Sequence, residues 1–198
     1  MKKFAKWILY IAASVLLLWG ILTIVAQMKG KPKAWVYKNA GASQKALIVY
    51  NPDIFYNFDE QVCKAFAEEI KNMEVTVATV AAADTISNHN YGLYIFCANT
   101  YNWRPDWPTA GFIKNYPKLQ NKPVVAITLG SGSTEASQKH FENIILSKGG
   151  KLIASRSFWL LKPNDESRMK EKNVAVCIAQ VHEWAKEIVA KISLNRPE

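Results

Sequence analysis

Residues 7–26, WILYIAASVLLLWGILTIVA, carry no charged side chain. Coiled into a helix rising about 1.5 Å per residue, the run reaches roughly 30 Å, the thickness of a bilayer's hydrocarbon core. Trp7 and Tyr10 lie near one end, where amphipathic rings favour the lipid–water boundary, and lysines flank both ends. The apolar region of a cleaved secretion signal is shorter, about 7–15 residues, and no small-residue cleavage site follows here. The sequence therefore predicts an uncleaved anchor over 1–28, spanning at 7–26. Orientation is nearly balanced, with Lys2, Lys3 and Lys6 on one side and Lys29, Lys31, Lys33 and Lys38 on the other.

Charge follows the same division. The 198 residues have a net charge of +9, yet residues 1–45 hold eight lysines and no acid. Residues 46–198 hold 17 basic and 16 acidic groups, a net of +1, which argues against nucleic acid as a partner. Residues 29–45 read as a basic linker, solvated or lying against anionic headgroups. Cys63, Cys97 and Cys177 are widely spaced, sit in apolar patterns and form no C-x-x-C, so buried thiols are expected rather than a metal or redox pair. A chain without disulfides points to a soluble domain facing the cytoplasm.

The remainder, 46–198, reads as one domain. Residues 46–50 (ALIVY) form a continuous apolar run, as a strand buried on both faces requires. Further strands are expected at 74–80, 91–97, 122–129 and 151–158. Between them, helices are expected at 57–71, 108–116 and 134–148, and the chain closes with a helix over 174–192. Ser133 is the expected cap of the 134–148 helix, and residues 84–90 leave room only for a very short helix. Strands alternating with helices imply right-handed crossovers, a parallel sheet and a three-layer α/β sandwich. In such sheets ligands bind beyond the carboxyl ends of the strands, where the strand order reverses.

Three loops lie at those ends. The loop 98–107 crowds Tyr101, Trp103 and Trp107 together, flat faces suited either to stacking on a planar ligand or to packing on the domain. The loop Gly130, Ser131, Gly132, Ser133 runs straight into a helix, where glycines allow close approach and free N–H groups can meet a carbonyl-rich ring. The segment 157–166 offers Trp159 to a ligand, a partner or the core. His89, His140 and His182 lack metal-ligand spacing, no carboxylate pair stands out for acid–base work, and Gly130–Thr134 does not make a nucleophile elbow. No catalytic residue and no metal site are expected.

The order of elements, together with 99–105 (NTYNWRP) and 122–134 (KPVVAITLGSGST), resembles the flavodoxin-like family over about three quarters of the chain. The resemblance implies a five-stranded parallel sheet in the order 2-1-3-4-5. It also implies flavin mononucleotide (FMN) as cofactor, with Asn99, Thr100, Tyr101, Asn102 and Trp103 covering one face of the ring and Gly130–Ser133 holding its edge. The family's phosphate loop follows the first strand as T/S-x-T-G-x-T. Here that segment is 51–57 (NPDIFYN), with no Gly, Ser or Thr, with Pro52 lacking an amide donor, and with Asp53, Asp59 and Glu60 adding negative charge. Asn51, Tyr56 and Asn57 remain as hydrogen-bond donors. The expected function is a membrane-tethered flavodoxin-like protein in FMN-dependent electron transfer or reductase chemistry, serving a membrane redox partner or quinone. The alternative is a cofactor-free module of the same fold that binds a protein at the membrane.

Overall fold

The computed structural model describes residues 2–39, 41–86, 90–117 and 119–194, so His89 lies outside the described residues. In chain order the elements are α1 (Lys2–Ala26), β1 (Ala34–Tyr37), β2 (Gln44–Tyr50), α2 (Phe58–Glu69), β3 (Met73–Thr79), α3 (Val80–Ala83) and β4 (Leu93–Tyr101). There follow β5 (Arg104–Pro105), α4 (Trp107–Asn115), β6 (Pro123–Gly130), α5 (Glu135–Ser147), β7 (Lys151–Trp159) and α6 (Asn173–Leu194). The sheet runs β1-β3-β2-β4-β6-β7, with β5 paired to β4. Its five parallel strands, β3-β2-β4-β6-β7, have the expected order 2-1-3-4-5.

Seven strands replace the expected five. β1 lies inside the stretch read as linker and pairs antiparallel with β3, from Ala34 opposite Ala78 to Tyr37 opposite Val75. Four residues are too few for period-two patterning to register, and the strand is fixed by its partners instead. Trp35 and Tyr37 pack against the core, and Lys64 Nζ stands 4.1 Å from the Trp35 ring centroid. β5 arises because the expected loop 98–107 is a hairpin: Thr100 pairs with Pro105 and Tyr101 with Arg104.

Burial explains the layers. Every residue from Ala46 to Tyr50 is buried, so β2 packs on both faces. One face meets α2 and α6 through Phe66, Val62, Cys63, Val181 and Ala185. The other meets α4 and α5 through Phe112, Ile113, Phe141 and Ile145, joined to Tyr94 and Phe96 of β4. Each such side chain taken from water contributes about 1.5–3 kcal/mol. The three cysteines are free and buried, and desolvation holds their thiols above the ordinary range, Cys177 at about 12. The cap of α5 is Thr134 rather than Ser133, and it makes no side-chain cap bond. Its hydroxyl accepts from Trp159 Nε1 at 2.9 Å instead, which ties β7 to the start of α5.

α1 is no core helix. The span Phe4–Ala26 is long and apolar enough to cross a membrane, and none of it is buried. Residues 27–33 then form a strap across the carboxyl ends of the strands. Trp107 N donates to Gln27 Oε1 at 2.7 Å, and Asn51 Nδ2 donates to Met28 O at 3.1 Å. Gly30 N donates to Asn51 Oδ1 at 3.0 Å, and Lys33 N to Thr79 Oγ1 at 3.0 Å. A Cβ on Gly30 would lie 2.2 Å from Pro52 Cγ, so the strap lies too close on that loop for any larger residue.

Candidate functional site

The carboxyl ends of β2 and β4 are neighbours, and the chain leaves β2 toward β3 on one side while β4 and β6 extend the sheet on the other. The crevice is therefore where the strand order reverses. Asn99, at the end of β4, spans it: its Nδ2 donates to Asn51 O at 3.0 Å and to Asp59 Oδ2 at 2.9 Å.

The loop after β2 is built around its own carboxylates. Asp53 Oδ1 accepts from the amides of Phe55 at 2.6 Å and Tyr56 at 3.0 Å. Asp59, at the start of α2, accepts from the amides of Asp53 at 2.5 Å and Glu60 at 2.7 Å. Tyr101 OH closes the arrangement by donating to Asp53 Oδ2 at 2.7 Å. Backbone donors that would cradle an anion are thus already occupied by anions, as the helix dipole prefers at a helix start. Of the three residues expected to serve a phosphate, Asn51 is buried and spent on the strap. Asn57 turns the chain at φ 52° and makes no side-chain cap bond. Tyr56 stays exposed on the rim. These residues do not fit a phosphate.

The ring-facing loops are better placed. At the hairpin tip Asn102 and Trp103 have φ 50° and 58°, the left-handed pair of a two-residue turn. A Trp is strained there, of order 1–3 kcal/mol, and its ring is 65% exposed. Asp106, fully buried, caps α4 by accepting from Thr109 N at 2.8 Å, and it also accepts from Asn99 N at 2.9 Å. Gly130 is required by space, because a Cβ would stand 2.7 Å from Thr134 Cγ2.

Two clefts open side by side between these loops. One, of about 230 Å³, is lined by Asp53, Tyr56, Phe58, Asn99, Tyr101 and Leu160 among others. The second, of about 470 Å³, is lined by Asn102, Trp103, Gly132, Ser133 and Leu161, and both share Thr100 and Ser131. The first alone is below the usual range for small-molecule sites, about 300–1,000 Å³, but the pair lies within it. The amides of Ser131, Gly132 and Ser133 meet no protein acceptor among the described residues, and the buried Thr100 hydroxyl has no partner. The structure thus gathers Tyr56, Asn99, Thr100, Tyr101, Asn102, Trp103 and Gly130–Ser133 around the clefts, and leaves Asn51, Asn57 and Trp107 out. Sequence reading missed Phe55, Phe58, Leu160 and Leu161 as lining. It also missed that Asp53 is a wall of the site; its position two residues before an amide pair was the available signal.

Burial dominates the electrostatics. Desolvation raises Asp59 to about 6 and Asp106 to about 7, against an ordinary 3.8, and raises the Tyr101 hydroxyl, which also faces Asp53. Between about pH 4 and pH 7 the folded chain therefore keeps protons that the unfolded chain has lost, and stability falls as pH rises through that window. Thermal unfolding is expected several degrees higher at pH 5 than at pH 8, with the slope reduced in Asp59→Asn. A melting temperature independent of pH across that range would contradict the raised values.

No family model and no curated protein matches the chain. Solved structures do. Flavodoxin 2 from Bacillus cereus superposes with a TM-score of 0.56 at 17% identity, covering 75% of this chain and 99% of that one. A WrbA-like flavodoxin from Agrobacterium tumefaciens gives 0.56 at 13% identity, covering 78% and 100%. An NADH:FMN oxidoreductase gives 0.52 at 14% identity, covering 75% and 90%. At such identities the likeness establishes a flavodoxin-like fold.

Proposed function

We propose that this flavodoxin-like fold is a membrane-tethered, flavin-dependent redox protein, an electron carrier or reductase that holds its flavin by the ring rather than by a phosphate. The observation that carries the reading is the pair of clefts at the strand-order reversal, where among the described residues the Ser131–Ser133 amides meet no protein acceptor and the Thr100 hydroxyl has no partner. Solved neighbours that are flavodoxins or an FMN oxidoreductase support a flavin over other planar ligands. When bound, the flavin supplies the electron chemistry, and the chain supplies position and electrostatics. Tyr56, Tyr101 and Trp103 would offer flat apolar faces to the ring, and the Ser131–Ser133 amides would supply donors for its carbonyls. Asp53 keeps the Tyr101 hydroxyl engaged at the rim. In this reading α1 is the tether and the redox partner is a quinone or a membrane-bound protein, and the free cysteines favour a cytoplasmic face.

The full chain, purified in detergent and incubated with riboflavin or FMN, is expected to retain a flavin absorbance spectrum after desalting. Riboflavin should bind at least as well as FMN. Combined Tyr101→Ala and Trp103→Ala is expected to weaken retention roughly tenfold, the worth of one to two aromatic stacking contacts. A protein that stays colourless with both flavins would sink this reading and leave the cofactor-free module.

A further inference from the structure

The end of the sheet that carries the clefts is also the end from which α1 departs. Among α1 residues from Phe4 onward, only those of the last two turns lose exposure, Gly20, Thr23 and Ala26, and the following Gln27 is buried. They share one helix face at a spacing of three to four. Asn102 Nδ2 at the hairpin tip donates to Thr23 Oγ1 at 3.2 Å, and Trp107 N donates to Gln27 Oε1. Residues 4–22 ahead of this contact make a helix of roughly 28 Å, close to the thickness of the hydrocarbon core, with Lys6 near the far end where a long side chain can extend to the opposite headgroups. Thr23 then marks the boundary, and the hairpin tip bonded to it stands at headgroup level.

The side chains arrayed at this level suit that position. Trp103, Trp107, Phe55, Tyr56 and Leu161 are exposed by 57–73% on the loops around the clefts. Tryptophan and tyrosine concentrate at the lipid–water boundary. Trp103 is held outward by a strained left-handed backbone. Lys31 in the strap and Lys162 beside the second cleft add positive charge against anionic lipid. The opposite end of the sheet, near Ser43 and Lys122, shows no such group of exposed aromatics among the described residues.

We infer that the cleft-bearing rim of the domain rests on the bilayer that α1 crosses, with Trp103, Phe55 and Leu161 entering the headgroup region so that both clefts open at the membrane surface. The inference rests on the anchor reading and adds to it a fixed orientation of the domain. It accounts for a rim of large apolar side chains that a water-facing site would leave exposed. It also accounts for the short bonded strap, where a free domain would tolerate a loose linker.

The test uses the buried native thiols, which leave an added surface cysteine as the accessible one. Phe55→Cys, Leu161→Cys and, at the far end, Ser43→Cys are made in the full chain and labelled with an environment-sensitive fluorophore. Each is reconstituted into phosphatidylcholine vesicles containing some phosphatidylserine. Insertion by roughly 5–10 Å would bring rim labels within reach of a quencher carried near the headgroups, with emission reduced by about half and shifted to the blue. The Ser43→Cys label should remain unchanged. Rim and far-end labels equally unquenched on protein that floats with the vesicles would overturn the orientation and leave the anchor standing. Protein that does not float with the vesicles would overturn both.

Discussion

Asp53→Ser is expected to raise the preference of the protein for FMN over riboflavin by about tenfold or more, equivalent to about 1.4 kcal/mol. In the native chain one Asp53 oxygen takes the amides of Phe55 and Tyr56 and the other takes the Tyr101 hydroxyl. A phosphate placed there would lack those donors and face a carboxylate of like charge. Serine removes the charge, frees two amides and the phenol, and adds a hydroxyl of its own. Charge-assisted hydrogen bonds to an anion are roughly twice as strong as neutral ones, so even partial recruitment moves the ratio. Titration of each flavin by fluorescence quenching, in native and variant chains, measures it. Riboflavin affinity should change less than FMN affinity, because riboflavin carries no phosphate to recruit the freed donors. An unchanged ratio would mean that the phosphate of a bound flavin does not approach this loop.

Asp106→Ala carries the largest expected loss of stability, about 2–4 kcal/mol near pH 5. The side chain is fully buried and accepts from Thr109 N and Asn99 N, so alanine strands two amides inside the protein. It also removes the cap of α4. The loss should shrink toward pH 8. Burial holds Asp106 near 7, so above that pH the native chain bears a buried charge that the variant lacks. Urea unfolding at both pH values reads the difference directly. Asp106→Asn should recover part of the loss, since its carbonyl oxygen can still cap Thr109 while its NH₂ group cannot accept from Asn99. Equal losses at both pH values would show that the cap alone matters and the charge does not.

Much of the architecture is legible in the amino-acid sequence. The run 46–50 reads as a strand buried on both faces, and it lies at the centre of the sheet. Phe58, Val62, Ala65 and Phe66 repeat at helical spacing and are all buried on α2. Such periodicity survives because every member of the face is removed from water together. The edge strand β1 escaped notice because its four residues derive their structure from β3, far along the chain. The hairpin of β4 and β5 was hidden for another reason. Asn102 is a common left-handed residue, whereas Trp103 is not, and only the register of Tyr101 against Arg104 forces it there.

The candidate site divides in the same way. By itself the sequence determined that acids crowd the segment after 46–50 and that aromatics crowd the loop after β4; that the acids stand where hydroxyls are usual is what the resemblance to the flavodoxin-like family adds. It equally determined that twenty uncharged residues precede a nearly neutral domain. Only the tertiary structure decided that Asn51 is consumed by the strap, that Asp53 and Asp59 satisfy the amides of their own loop, and that α1 leaves from the rim where the clefts open. Hydrogen-bond partners decide those outcomes. For Asn51 and Asn102 the partner is brought in from far along the chain, Met28 and Thr23 respectively, and no local pattern records that approach. For Asp53 and Asp59 the partners are local, but several nearby donors compete and only the folded loop decides among them.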